Sequence, residues 1–126
     1  MSADNPLLAA ILQGESKTLE FKVDLPKGDQ LVKTLIAFAN TSGGKLVIGV
    51  NDERELIGLA QVDVFELMDK VSSMIHDLCA PSLLPGIYIE NIQNTELLII
   101  EVSRGSLIPY YLKTKGRQKG VYIRLG

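Results

Sequence analysis

The chain has 126 residues, of which 46% are hydrophobic and 22% charged, and its formal net charge is −2. This length and composition are typical of one folded domain with its own core, and they exclude a disordered protein. The single cysteine, Cys79, excludes an internal disulfide framework and favours a reducing compartment. The N-terminus has no basic segment, and no apolar run approaches the roughly 20 residues of a membrane helix, so we expect a cytoplasmic protein.

The first quarter of the chain predicts a short helix, a strand and a longer helix. Pro6 suits a first helical turn, and the apolar residues that follow predict a helix over residues 6–12 that ends at Gly14. The alternation in Thr18–Val23 predicts a half-buried strand. Asp29 is expected to cap a helix over Gln30–Asn40, which is apolar on more than one side and should therefore be deeply buried.

The middle of the chain predicts a central strand and a second main helix. Lys45–Val50 is nearly all apolar, which indicates a strand buried on both faces. Leu56–Leu59 is expected to pair back as a short strand. Asp63 is expected to cap a helix over Val64–Cys79, whose apolar residues recur at helical spacing, with Pro81 just beyond its end.

The last third of the chain predicts strands and one basic loop. Gly86–Asn91 and Glu96–Val102 are separated by a short polar turn, which indicates a hairpin. Pro109–Leu112 is interpreted as an edge segment, Lys113–Gly120 as a polar loop and Val121–Leu125 as a final strand. The pattern as a whole predicts an α/β (α+β) fold, in which a mixed sheet packs against the two main helices.

The Thr41–Lys45 turn contains Gly43 and Gly44 between the buried helix and the central strand. Two interpretations are open: the glycines only end the helix and begin the strand, or they let a phosphate approach the backbone. The turn is not a Walker A loop, because Gly44-Lys45 is followed by Leu46 and leads into a strand. ATP hydrolysis is therefore not expected.

Positive charge is concentrated at the C-terminal end of the sequence. Residues 104–126 contain six basic and no acidic residues, so the remainder carries a charge of −8 and this segment +6. The basic residues are Arg104, Lys113, Lys115, Arg117, Lys119 and Arg124. Such charges bind phosphates by releasing counterions, and the nearby Tyr110, Tyr111 and Tyr122 are candidates for stacking on bases. The alternative is a solvated loop beside ordinary strand tyrosines.

Several short motifs occur in order along the chain and together resemble the Schlafen-type AlbA-2 domain. They are Glu15-Ser16, Leu19-Glu20-Phe21-Lys22, Ala37-Phe38-Ala39-Asn40-Thr41-Ser42-Gly43-Gly44, Leu46-Val47-Ile48-Gly49-Val50-Asn51-Asp52, Ile57-Gly58 and Val121-Tyr122-Ile123-Arg124-Leu125-Gly126. The resemblance covers residues 15–126 and makes residues 1–14 an N-terminal helical extension. It implies an AlbA-2-like fold, and some relatives carry helicase-related or divergent-ATPase labels.

The function that the resemblance implies is DNA or RNA binding in a transcriptional regulator. The six basic residues then contact phosphates, while Asn40, Thr41, Gly43, Gly44 and Lys45 shape or support the binding surface. Relatives usually continue into a regulatory region beyond the last motif, which implies such a region here. Schlafen cores contain two related lobes, which implies a homodimer for a single-lobe chain.

The resemblance also offers an enzymatic alternative. Schlafen proteins that cleave RNA use three acidic residues, which correspond to Glu15, Glu20 and Asp52 in this chain. Carboxylates suit Mg²⁺ or Mn²⁺, and such a metal activates water beside a phosphate. The opposing interpretation is that all three are ordinary surface acids. A third possibility is a protein-interaction domain that uses the apolar hairpin Ile87–Val102.

Overall fold

The computed structural model describes residues 5–126 as four helices and six strands. The helices are α1 (Pro6–Gln13), α2 (Gly28–Ala39), α3 (Val64–Leu78) and α4 (Gly116–Lys119). The strands are β1 (Leu19–Lys22), β2 (Gly44–Ile48), β3 (Cys79–Ala80), β4 (Gly86–Ile92), β5 (Thr95–Val102) and β6 (Tyr111–Leu112). The first four residues of the expected N-terminal extension lie outside the described part.

Four strands form one mixed sheet in the order β1-β2-β5-β4. β1 runs parallel to β2, while the β2–β5 and β4–β5 pairs are antiparallel. β2 is a central strand, as its apolar sequence predicts, because its last three residues are fully covered by the layers on both sides. β3 and β6 form a separate two-stranded sheet. The predicted mixed sheet backed by helices is confirmed.

The two faces of the four-stranded sheet pack against different helices. Leu46 and Ile100 face the core formed with α2 and α3, whereas Val47 and Ile99 face α1. This division follows from the alternation of side chains along paired strands. α2 is buried along most of its length, as its apolar sequence predicts, and its C-terminal end lies where β2 begins.

The ends of the two main helices differ in how they are capped. Asp63 caps α3 as predicted, because its Oδ1 accepts from the backbone N–H of Phe65 at 2.9 Å and of Glu66 at 3.3 Å. The prediction that Asp29 caps α2 is wrong, since the helix already begins at Gly28 and Asp29 lies in its first turn. There the carboxylate complements the positive end of the helix and accepts from Thr114 Oγ1 at 3.5 Å.

The predicted hairpin is confirmed, with Gln93 and Asn94 at its turn in left-handed conformations of φ 54° and 61°. The short strand expected at Leu56–Leu59 is wrong, because only an isolated bridge joins Leu56 to Val50. The prediction of a loop over Lys113–Gly120 is only partly correct, because helix α4 occupies half of that segment.

The final strand expected over Val121–Leu125 is also wrong, because its backbone pairs with side chains instead of a neighbouring strand. The carbonyl of Tyr122 accepts from Asn40 Nδ2 at 3.0 Å, and the N–H of Arg124 donates to Thr41 Oγ1 at 3.0 Å. The segment is therefore extended along the end of α2. Within residues 5–126, no helix combines the length and apolar character needed to cross a membrane.

Candidate nucleic-acid interface

Four predicted phosphate-binding side chains lie on one exposed segment, Lys113–Lys119, here named the basic turn. They are Lys113, Lys115, Arg117 and Lys119, and all four are exposed. Within residues 5–126, none of the four is within salt-bridge distance of a carboxylate. Their charges are therefore directed to solvent, where they attract anions.

Backbone hydrogen bonds hold the basic turn at both ends. The N–H of Lys113 donates to the carbonyl of Leu78 at 2.8 Å, which fixes the turn to the end of α3. Leu112 donates to the carbonyl of Gly120 at 2.9 Å, and Gly120 donates to that of Gly116 at 2.7 Å. The cations are consequently carried by a closed loop, which lowers the entropy lost when the backbone binds a ligand.

Asn40 joins the end of α2 to the two segments that flank the basic turn. Its Nδ2 donates to the carbonyls of Tyr110 and Tyr122 at 2.9 and 3.0 Å, and its Oδ1 accepts from the N–H of Tyr110 at 2.7 Å. Both amide hydrogens and the amide oxygen are thus used inside the protein. Asn40 positions the segments on either side of the basic turn.

The Gly43-Gly44 turn is filled by the protein itself. Gly43 has a φ of +75°, and a Cβ there would lie 2.7 Å from the carbonyl oxygen of Val102. A Cβ on Gly44 would lie 2.5 Å from the ring of Phe38. The glycines therefore allow β2 to approach its own neighbours closely. The adjacent Lys45 is partly buried, and its N–H donates to the carbonyl of Thr18 at 2.9 Å.

Arg124 differs from the other predicted phosphate ligands because it is an internal clamp. Its Nη1 donates to Glu20 Oε1 at 2.5 Å, and its Nη2 donates to the carbonyl of Ser16 at 2.6 Å. The guanidinium also lies 4.8 Å from the centre of the Phe38 ring, and the side chain is only 18% exposed. Arg104 is exposed, although its Nη1 donates to the carbonyl of Thr41 at 2.9 Å.

The three candidate stacking tyrosines have different surroundings. Tyr110 is 4% exposed and its hydroxyl accepts from the N–H of Leu107, so it belongs to the core. The ring of Tyr122 is covered on one side by Lys33, whose Nζ lies 4.7 Å from the ring centre. Tyr111 is partly exposed on β6, beside the basic turn.

Lys33 is a further cation near the C-terminal segment, and the sequence did not indicate it. It is an exposed residue of α2, 80 positions before the first residue of the basic turn. A lysine on the outer side of a helix is common, and only the packing of Tyr122 against α2 brings this one near the C-terminal segment. Clustering of basic residues in the sequence therefore finds the basic turn and misses Lys33.

The three acidic residues of the nuclease hypothesis lie on or beside the neighbouring strands β1 and β2, with different partners. Glu15 accepts from the N–H of Phe21 at 3.0 Å, Glu20 is paired with Arg124, and Asp52 is exposed in the turn after β2. Glu20 Oε2 also lies 3.5 Å from Lys22 Nζ. The part of the chain from residue 5 onward contains no group of three or more His, Cys, Asp or Glu side chains arranged to hold a metal ion. In this arrangement the three carboxylates do not fit a shared Mg²⁺ or Mn²⁺.

A family model matches the sequence over nearly the whole chain. The model is Schlafen, AlbA_2, and it matches residues 15–126. The chain belongs to the Schlafen AlbA_2 family.

Solved structures with the same architecture include the N-terminal domain of a Nitrosomonas europaea protein related to the ATP-dependent DNA helicase RecG. That structure is 25% identical, has a TM-score of 0.66, and the match covers 95% of this chain and 86% of that one. A Corynebacterium diphtheriae protein shares the fold, with 18% identity and a TM-score of 0.63 over 94% of this chain and 24% of that one.

One curated relative is an uncharacterised ATP-binding protein of Ureaplasma parvum serovar 3. It is 33% identical over 73 residues, which are 55% of this chain and 21% of the relative. The chain therefore spans about a fifth of that protein.

Proposed function

We propose that this domain binds DNA or RNA through the basic turn. The observation that carries the proposal is the set of four exposed cations on a seven-residue segment, without carboxylate partners in the described part of the chain. A cation that is already paired with a carboxylate gains less free energy from binding a phosphate. None of these four cations has such a pair in the described part of the chain. Two further exposed cations are Lys33 of α2, which lies over the ring of Tyr122, and Arg104, which donates to the carbonyl of Thr41.

The proposed interaction is chiefly electrostatic. Each cation that neutralises a phosphate releases condensed counterions, and four such contacts predict a slope of about −3 to −4 in log K against log salt. The acidic excess of the remaining chain opposes binding elsewhere, which favours contact through the basic turn.

The wider role that we propose is in a transcriptional regulator or helicase-related protein. Two findings support it: membership of the Schlafen AlbA_2 family and similarity to the N-terminal domain of a RecG-related protein. In this role the domain holds a longer protein, which acts as a homodimer, on nucleic acid. A regulatory region beyond this domain is part of the same proposal.

The test is a charge reversal in the basic turn with a matched control. The variant Lys115→Glu/Arg117→Glu changes two exposed cations, and Lys17→Glu/Lys70→Glu changes the net charge equally at two other exposed positions. Fluorescence anisotropy of labelled oligonucleotides, measured over a series of salt concentrations, gives the affinity and the salt slope.

We expect the first variant to bind at least tenfold more weakly and with a salt slope lower by about 1.5, because two phosphate contacts are lost. The control variant should keep most of the affinity and the same slope. Equal losses in both variants, or no loss in the first, would contradict binding through the basic turn.

A further inference from the structure

The small sheet formed by β3 and β6 presents one tyrosine outward. Cys79 pairs with Leu112, and both are almost completely buried, so their side chains point into the core. Ala80 pairs with Tyr111, and side chains alternate between the faces of a strand. Ala80 and Tyr111 therefore lie on the outer face of this sheet, where both remain partly exposed.

This outer face forms one wall of an open groove of about 460 Å³. Pro81, Ile108 and Pro109 contribute flat apolar surface, and Tyr111 and Arg117 line the same groove. The volume falls within the range of small-ligand clefts. Leu107 and Ile108 are 58% and 39% exposed at its edge, so apolar surface is open to solvent here.

Arg117 belongs both to this groove and to the basic turn. A ligand in the groove is therefore next to the exposed cations of the basic turn, while Tyr111 and the prolines offer it aromatic and apolar contacts beside the polar Ser106. A groove that offers an aromatic ring, bordered by exposed positive charge, is the combination that binds single-stranded nucleic acid, since bases stack on rings and phosphates follow the cations. In a duplex the bases are stacked on one another, and only the phosphates face such a surface.

We propose that this groove binds an unpaired base, with Tyr111 as the stacking residue, and that the ligand is consequently single-stranded. The inference rests on the proposed function, because the basic turn supplies the phosphate contacts. Arg117 would contact the base or the adjoining phosphate from the rim, while Lys113 and Lys115 contact phosphates along the strand.

The experiment compares Tyr111→Leu and Tyr111→Phe with the unaltered chain. Each is titrated with a labelled single-stranded oligonucleotide and with the duplex of the same sequence, at several salt concentrations. Leucine keeps an apolar side chain and removes the ring, whereas phenylalanine keeps the ring. Circular dichroism of each variant establishes that it is folded.

We expect the unaltered chain to prefer the single strand over the duplex. Tyr111→Leu should lower single-strand affinity by about 5- to 100-fold, the effect of losing one stacked base, and leave duplex affinity and the salt slope unchanged. Tyr111→Phe should bind nearly as the unaltered chain does.

Equal affinity for single strand and duplex, or unchanged single-strand affinity in Tyr111→Leu, would overturn the inference. If the groove proposal alone fails, Lys115→Glu/Arg117→Glu still weakens binding. If that charge reversal also has no effect, the proposed function fails as well.

Discussion

Glu20 and Arg124 lie 104 residues apart in the sequence, and Arg124 Nη1 donates to Glu20 Oε1 at 2.5 Å. The side chains are 19% and 18% exposed, so the pair is largely shielded from water. It fastens the last segment of the chain to the edge strand β1. Two of the motifs that identify the family are thus joined by a single ion pair, whose role in this arrangement is structural.

Removing the guanidinium should destabilise the protein. We expect Arg124→Leu to lower the free energy of unfolding by about 2 kcal/mol, between the effects typical of exposed and of buried pairs, because Glu20 keeps only its longer contact with the exposed Lys22. Urea unfolding measures the change. Arg117→Leu removes an exposed arginine that has no ion pair among residues 5–126, and it should change stability by less than about 0.5 kcal/mol. Equal stabilities of the two variants would contradict the structural role of Arg124.

Asn40 provides a second test of how the C-terminal segments are held. Asn40→Asp keeps the shape of the side chain but removes both hydrogens donated to the carbonyls of Tyr110 and Tyr122. We expect the free energy of unfolding to fall by about 2 kcal/mol, because two carbonyls lose their donors and face a carboxylate. Thermal unfolding measures it, and Asn91→Asp at an exposed position of β4 is the control. A melting temperature as high as that of the control would refute this explanation.

Gly43 in the Thr41–Lys45 turn and Gly116 in the basic turn have the same backbone conformation, but one position is crowded and the other is open. Gly43 and Gly116 both have a φ of +75°, but a Cβ on Gly43 meets Val102, whereas one on Gly116 meets no atom of the described residues within 4 Å. Gly116→Ala should therefore lower the free energy of unfolding by about 1 kcal/mol through backbone strain alone. Gly43→Ala should lower it clearly more, because its Cβ also clashes with Val102. Chemical denaturation of both variants checks the order, and the reverse order would contradict it.

The buried thiol of Cys79 should make both its own alkylation rate and the stability of the protein depend on pH. Burial raises the pKa of this thiol to about 11, and the nearby Lys113 opposes the shift. The thiolate is the reactive form, so alkylation of the folded protein should stay slow through pH 9 and accelerate towards pH 11. Because the folded pKa lies above the ordinary value of 9, this group should also reduce stability as pH rises from about 9 to 11.

The alkylation rate of Cys79, the one thiol in the chain, is measured against pH in native buffer and in urea. The unfolded chain should react with an ordinary thiol pKa. Identical pH profiles in the two conditions would contradict the burial of Cys79.

The nuclease hypothesis remains open to a direct test. We expect RNA cleavage with Mn²⁺ to be absent or unaffected by Glu20→Ala, because Glu20 is paired with Arg124 and no three-ligand acidic group occurs in the described part of the chain. Asp52→Ala is the second variant, and Glu53→Ala is a matched exposed control. Cleavage that disappears in the first two variants and persists in the third would show that the acidic residues converge in solution.

Local patterns predict most of the helices and strands because they depend on nearby residues. The apolar sequence of β2 predicts a central strand, and the spacing of Asp63 and the residues after it predicts α3 and its cap. The extended segment after Val121 is a different case. Its alternating sequence indicates a strand, but its hydrogen-bonding partners are the side chains of Asn40 and Thr41, which are about 80 residues away.

The candidate site also has some features that the sequence predicts and others that only the tertiary structure sets. A cluster of basic residues is visible in the sequence because its members are neighbours, and exposure of the basic turn accords with it. Which tyrosine is accessible is decided by strand pairing, since Tyr110 and Tyr111 are adjacent and yet one is buried and the other borders a groove. The sequence by itself determined the family, the core elements and the location of the positive charge. Only the tertiary structure decided that Arg124 is a clamp and that Tyr111 lies beside Arg117, because long-range packing sets both environments.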